Sequence, residues 1–449
     1  MSSSLATLAI AVASGIAGLV SISAVAKTFR RGEWTSAAYL SLAMAFMSFS
    51  FVTLLVTYTD SWLTVTDVFR SRTLAPPPWA HEMLRAFLVI QTFGAIGVVI
   101  ARVRRENAMV SVPSVCLLMV SLISVGVALL RGDHPIRPFT VVYVLTLLAC
   151  TVAPRGIGIH LGIAVTGLLE TVSSGLAVWL HHDSSTTTCV VGYKCGLLGF
   201  NLHGISDNEN ALAISMALAM PFIYMAFRGW QGTFLTLYVA AMVTLTGSRT
   251  GLVAAGIALL ALLVVRPDAR RPEPAPGRSL LLALGLILVI GIGAVVPFVV
   301  NNPDAFTGRV ALWRIARTGL TQRGNLLHGT GVFGWDHVRE TGQIDASEVY
   351  SVHNQWLQVV YSTGLIGLAF FVVAVALLLW QARRTYFTVI GCVLVPFAVL
   401  SITERPWTLD TADTLTWAVV GALLCYPLAP RRPAAREEPA LIRDEVPAT

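Results

Sequence analysis

Apolar residues gather along this chain in blocks near 5–26, 36–58, 82–101, 109–130, 138–153, 157–180, 208–227, 231–246, 250–266, 279–300, 353–380, 385–402 and 413–429. A helix needs about 20 mostly apolar residues to cross the hydrocarbon core of a bilayer. In lipid every backbone polar group must be satisfied within the segment, which a helix achieves. The pattern therefore predicts an all-α polytopic membrane protein with 12–13 transmembrane helices, the short blocks 138–153 and 231–246 being broken or tilted. The first block lacks a small-residue cleavage site before a polar stretch and reads as a retained helix. The longest polar segment between blocks is 301–352, too long for a plain connector. No separate soluble domain is visible. Residues 1–430 read as a single transmembrane domain, 267–278 (PDARRPEPAPGR) as a Pro-rich linker, and 431–449 as a charged, disordered tail.

Composition agrees. The chain is 55% hydrophobic and only 12% charged, and an average soluble domain carries about twice that charge. The formal charge of +7 matters through its placement. Lys27, Arg30 and Arg31 follow the first block, Arg102, Arg104 and Arg105 the third, Arg155 the fifth and Arg228 the seventh. Arg266, Arg270, Arg271 and Arg278 follow the ninth, Arg383 and Arg384 the eleventh, and Arg431, Arg432 and Arg436 the last. All fall on one side if thirteen helices alternate, and by the positive-inside rule that side is the cytoplasm. The N-terminus is then outside and the tail inside. Loops 59–81, 131–137, 181–207 and 301–352 face outward. Basic loops of this kind account for the charge without nucleic-acid binding.

Of the six cysteines, Cys116, Cys150, Cys392 and Cys425 lie in or at the ends of apolar blocks and read as small packing residues. Cys189 and Cys195 share an outer loop, where they are either a disulfide or two free thiols. No Cys/His or acidic series has metal-site spacing.

Three elements on the outer side could carry chemistry. In Gly247-Ser248-Arg249-Thr250-Gly251, an arginine stands among small residues at a helix end, open to an anion; a snorkelling anchor gives the same pattern. In 308–317, Arg309, Trp313 and Arg317 fall at i, i+4 and i+8. Leu312, Ile315, Ala316 and Leu320 supply an apolar side. This predicts a short amphipathic helix at the membrane surface, whose arginines suit either phosphate or lipid head groups. In Ser351-Val352-His353-Asn354-Gln355-Trp356, an imidazole sits at the outer end of a long apolar block, as a general base or as an interfacial His without chemistry. Asp207 or Asn208 reads as a helix cap, Glu404 and Arg405 could pair with each other, and Glu170 lies within an apolar block without an evident partner.

Taken in order, these elements resemble the O-antigen ligase and polymerase family. The run His353-Asn354, nine residues, Gly364, two residues, Gly367 is similar to that family's signature, and Gly329-Thr330-Gly331-Val332-Phe333-Gly334 precedes it. Gly247-Ser248-Arg249 resembles the family's first essential arginine, Gly308-Arg309 to Trp313 its second, and Asn210-Ala211-Leu212-Ala213 a weaker Asn-x-Leu-Ala element. The resemblance covers about 205–370. It departs in helix count, since these ligases are described with twelve helices and both ends inside. The resemblance implies a multi-pass protein of the bacterial plasma membrane, with its site outside the cytoplasm. It implies an inverting, metal-independent enzyme without cofactor that moves a glycan from a polyprenyl-pyrophosphate carrier to a hydroxyl on a glycan, lipid or protein acceptor. His353, Arg309 and Arg249 would be catalytic. Arg314, Arg317, Asn354, Trp313 and Asn210 would bind substrate, and 301–352 would form the catalytic loop. A polymerase of the same family, or a transporter or flippase for a lipid or polyanion, are the competing readings.

Overall fold

The computed structural model describes the chain except for residues 1–2, 47–49, 67–71, 105–109, 135–136, 153–156, 190–193, 271–275, 323, 342–350 and 409–449. The expected block at 413–429, Cys425 and the tail 431–449 therefore lie outside the described residues.

The protein is an all-α polytopic membrane protein. Its helices are α1 (Ser3–Arg30), α2 (Ser36–Ala45), α3 (Phe51–Tyr58), α4 (Pro78–Val103), α5 (Val112–Leu130), α6 (Pro138–Val152), α7 (Ile157–Leu180) and α8 (Glu209–Ala226). They continue as α9 (Trp230–Leu245), α10 (Arg249–Val265), α11 (Pro276–Val299), α12 (Arg309–Thr321), α13 (Asn325–His328), α14 (Gly334–Glu340), α15 (Gln355–Ala382) and α16 (Phe387–Leu400). Seven of them hold stretches long and apolar enough to span a bilayer; α6, α9, α10 and α16 are shorter apolar helices. The block 36–58 is divided between α2 and α3. Loop 301–352 contributes three short helices, α12 to α14.

Loops 59–81 and 181–207 hold strands that the apolar pattern did not predict. β1 (Leu63–Thr66) pairs antiparallel with β2 (Arg72–Ala75), and β3 (Thr186–Thr188) with β4 (Phe200–Leu202). Threonine is well suited to such short pleated ribbons.

The core centres on α8, buried along almost its whole length among α7, α9, α10 and α16. Small residues permit this: Ala213 of α8 meets α10 at Gly251, where a Cβ would collide with it.

The two ends of the bundle differ in chemistry. At one end Arg270 donates from Nε and Nη2 to the Glu33 carboxylate (2.8 and 2.7 Å). The same guanidinium reaches the carbonyls of Met225 and Ala226 (2.7 and 2.6 Å). Lys27, at the end of α1, donates to Gln231 at the start of α9 (3.0 Å). At the other end lies the turn 246–248 between α9 and α10. The Leu197 N–H donates to the Thr244 carbonyl there (3.2 Å), and Gly247 packs against Asn201 so closely that a Cβ would not fit. Cys189 and Cys195 form a disulfide in loop 181–207, the loop that holds Leu197 and Asn201 (Cα–Cα 5.3 Å). Because α1 runs antiparallel to α9, with Tyr238 Oη donating to Ser14 Oγ (2.8 Å), the first residues of α1 lie toward the disulfide end.

Candidate active site

Three helix starts and one turn meet at the disulfide end of the bundle. The turn is 401–404, directly after α16. Its Glu404 side chain is 5% exposed, and an acid that deep requires partners. It has two. Arg309, the first residue of α12, donates from Nη2 to Glu404 Oε1 and from Nη1 to the Thr403 carbonyl. His353, just before α15, places Nδ1 3.0 Å from Glu404 Oε2. The start of α10 joins through Thr250, whose Oγ1 lies 3.0 Å from Thr403 Oγ1.

Electrostatics set the protonation pattern. Burial alone would push the Glu404 carboxyl up, but the hydrogen bond from His353 and the Arg309 charge outweigh it and hold it below the usual carboxylate range. Glu404 is thus ionised at neutral pH and can only accept. Facing an acceptor, the His353 Nδ1 carries a hydrogen toward Glu404, so in the neutral imidazole the lone pair is on Nε2. This is the orientation a general base requires.

Local backbone aims the imidazole. His353 has φ +52°, a left-handed conformation unusual for a side-chain-bearing residue. Its neighbours enforce it. The Ser351 hydroxyl accepts the His353 N–H (3.3 Å), and the Val352 carbonyl accepts Trp313 Nε1–H (3.0 Å). Asn354 caps α15, its Oδ1 accepting the Leu357 N–H (2.7 Å) while Nδ2 donates to the carbonyls of Gly293 (3.0 Å) and Ile402 (2.9 Å). Strain held by surrounding structure of this kind tends to mark functional positions.

Arg249 opens α10, is exposed, and makes no hydrogen bond or ion pair among the described residues. The preceding Ser248 caps the helix (Oγ to Gly251 N–H, 3.3 Å). A guanidinium at a helix N-terminus attracts anions on two counts, its own charge and the helix dipole. Arg309 also keeps N–H groups beyond the two used on the 403–404 turn, since guanidinium has five.

Several expected site residues have other work. Trp313 is fully buried and has no face for a sugar; its indole fills the space below Val352. Asn354 is buried with both amide atoms engaged on backbone groups beside His353. Arg317 donates to the Phe298 carbonyl (2.8 Å) and Asn301 Oδ1 (3.2 Å), pinning α12 to the end of α11. Arg314 points away from the Arg309 group into a separate cavity. Asn210 lies in the first turn of α8, one turn before Ala213, and Asn208 is the cap (Oδ1 to Ala211 N–H, 2.8 Å). Glu404 pairs with Arg309 and His353 and not with Arg405, as adjacency suggested. The signal for it in the sequence is an acid in an outer turn directly after an apolar block. Glu170, buried in α7, takes a hydrogen bond from Ser215 of α8.

Residues 234–372 match the O-antigen ligase family model. That stretch is similar to O-antigen ligases. The matched stretch runs from α9 into α15 and contains Arg249, Arg309 and His353, while Glu404 lies beyond it. No curated protein matches the chain. The family points to glycan transfer of the ligase or polymerase type.

Proposed function

We propose that the chain transfers a glycan from a polyprenyl-pyrophosphate carrier to an acceptor hydroxyl at the outer face of the bacterial plasma membrane, without a metal ion. The observation that carries this reading is the Glu404-centred group, which joins a carboxylate-oriented imidazole to a guanidinium.

The chemistry follows from those atoms. His353 Nε2 takes the proton of the acceptor hydroxyl as its oxygen attacks the anomeric carbon from the face opposite the phosphate. The new C–O bond forms as the bond to the pyrophosphate oxygen breaks, inverting the centre. The departing pyrophosphate keeps the electron pair, and Arg249 with the free edge of Arg309 stabilises its charge. Glu404 steadies the imidazolium formed, the role a buried carboxylate plays beside a catalytic His. The apolar helices accommodate the prenyl chain. A polymerase would use the same atoms with a growing glycan as acceptor; we favour the ligase. A transporter reading would gain from an arginine paired with Glu170 deep in the bundle; the partner there is the Ser215 hydroxyl.

The test is transfer by the purified full-length protein in liposomes, with EDTA present and a carrier-linked glycan extracted from the producing cell. His353→Asn is the informative variant, because Asn tolerates the left-handed backbone but is no base. The expected outcome is wild-type release of polyprenyl pyrophosphate and a drop of about 10²- to 10⁴-fold in His353→Asn, with a comparable loss in Arg309→Ala. Variants that match wild type would remove these residues from the mechanism. Absence of release by a folded wild type would reject transfer.

A further inference from the structure

A cavity of about 540 Å³ lies along α12, lined by Arg314, Ile315, Thr318 and Gly319 of that helix. We propose that it binds a saccharide chain, at a site distinct from the Glu404 group.

Its lining is that of a sugar site. Arg131, Arg314, Gln322 and Asn325 present planar guanidinium and amide groups, and Thr318 and Thr341 add hydroxyls. Neighbouring hydroxyls on a sugar ring are recognised by such groups, which offer two hydrogen-bonding atoms side by side. The volume falls in the range of ligand pockets, about 300–1,000 Å³. Ile315, Val338 and the Tyr361 ring add apolar surface, so the wall mixes hydrogen-bonding groups with faces on which a sugar ring can pack.

The walls are held before any ligand arrives. Arg131, directly after α5, donates to Asn325 Oδ1 (2.7 Å) and the Gly329 carbonyl (3.0 Å). Asn325 Nδ2 donates to the Gly319 carbonyl (2.8 Å). His337 Nε2 on α14 sits 3.0 Å from Asp133 Oδ1. Thr330 and Gly334 of the glycine-rich run 329–334 also line the cavity. The Thr330 and Gly331 N–H groups donate to the carbonyls of Tyr361 (2.7 Å) and Ser362 (3.0 Å). One charged group is left over for a ligand: Arg314 lines the cavity and is exposed, with no partner among the described residues.

The position links this cavity to transfer. Arg309 begins α12 and Arg314 follows five residues later, about 7.5 Å along the axis. A glycan lying in the cavity would therefore present its end near His353. That last step rests on the reading under Proposed function; saccharide binding itself does not.

The experiment is saturation-transfer NMR on the full-length protein in detergent. The probes are delipidated, size-fractionated oligosaccharides from the producing cell's own envelope polysaccharide. Wild type and His353→Asn should bind alike. Arg314→Ala should weaken binding about tenfold, the loss of one charged donor. Thr318→Trp, which fills the cavity from an exposed helical position, should abolish it. Arg314→Ala changes an exposed side chain and keeps the test informative if Thr318→Trp melts early. Absence of binding to wild type would overturn the proposal, as would binding indifferent to both cavity variants. Carrier release that depends on His353 but occurs without saccharide binding would leave the transfer reading standing and this one refuted. Binding without carrier release would do the reverse.

Discussion

At the scale of single residues, the site depends on one buried negative charge serving two positive or proton-bearing partners. Breaking a buried ion pair costs about 3–5 kcal/mol, because the remaining charge is left uncompensated. Arg309 is 17% exposed, so water softens that cost here. Glu404→Gln preserves shape while removing the charge. It should lower transfer by about 10²-fold or more, because an amide can donate to Nδ1 and favour the wrong tautomer. Glu404→Asp, which keeps charge but shortens reach, should recover part of the activity; equal activity in all three would dismiss Glu404 as a positioning residue. The pH dependence has a definite sign. The folded-state carboxyl is held below its ordinary range, so its stabilisation is complete above that range and is lost as pH falls through the folded-state value. The melting temperature of wild type should therefore decline on acidification below about pH 4, and that of Glu404→Gln should decline less steeply.

At the scale of elements, apolar blocks translated directly into helices, because a spanning helix leaves a long uninterrupted apolar run that little else produces. Strands β1 to β4 were not legible, since three- and four-residue ribbons carry too little pattern. The helix at 309–321 was legible from its amphipathic spacing, but not which way it faces. Arg309 and Trp313 turn inward, toward a carboxylate 95 residues away and a pocket under Val352. No local pattern encodes such a partner. The motif glycines were visible as a motif without a cause, and the fold supplies one. Gly331 has φ +81°, and a Cβ there would stand 2.9 Å from the Ala128 backbone nitrogen of α5. Gly364 breaks α15 with φ +65°, and a Cβ there would strike the Leu327 carbonyl. Gly256, inside α10, faces open space. Alanine at Gly331 or Gly364 should therefore destabilise by about 1–3 kcal/mol or more. Alanine at Gly256 should be neutral or stabilise by about 0.5–1 kcal/mol. Thermal melting of the three purified variants checks the contrast, and equal shifts would contradict it.

At the scale of the whole molecule, the two ends of the bundle carry opposite duties, and the first helix decides how many crossings join them. The arginine-rich end binds its own Glu33, whereas the disulfide end gathers Arg249, Arg309, His353 and Glu404. If the arginine-rich end is cytoplasmic, the start of α1 lies outside, on the same side as the site. That gives an odd number of crossings when the tail is inside, against the even number that the family resemblance implies. Single cysteines can settle the matter in intact cells, in a background where Cys116, Cys150, Cys392 and Cys425 are serine. A membrane-impermeant maleimide should label Asn302→Cys, beyond the end of α11, and Leu5→Cys, exposed near the start of α1. It should leave Gly277→Cys, in the first turn of α11, unlabelled until the membrane is permeabilised. Should Leu5→Cys behave like Gly277→Cys, α1 would not cross the membrane, and the chain would return to the even count. Labelling of Gly277→Cys with protection of Asn302→Cys would invert the whole assignment and put His353 in the cytoplasm, where an outer-face acceptor could not reach it.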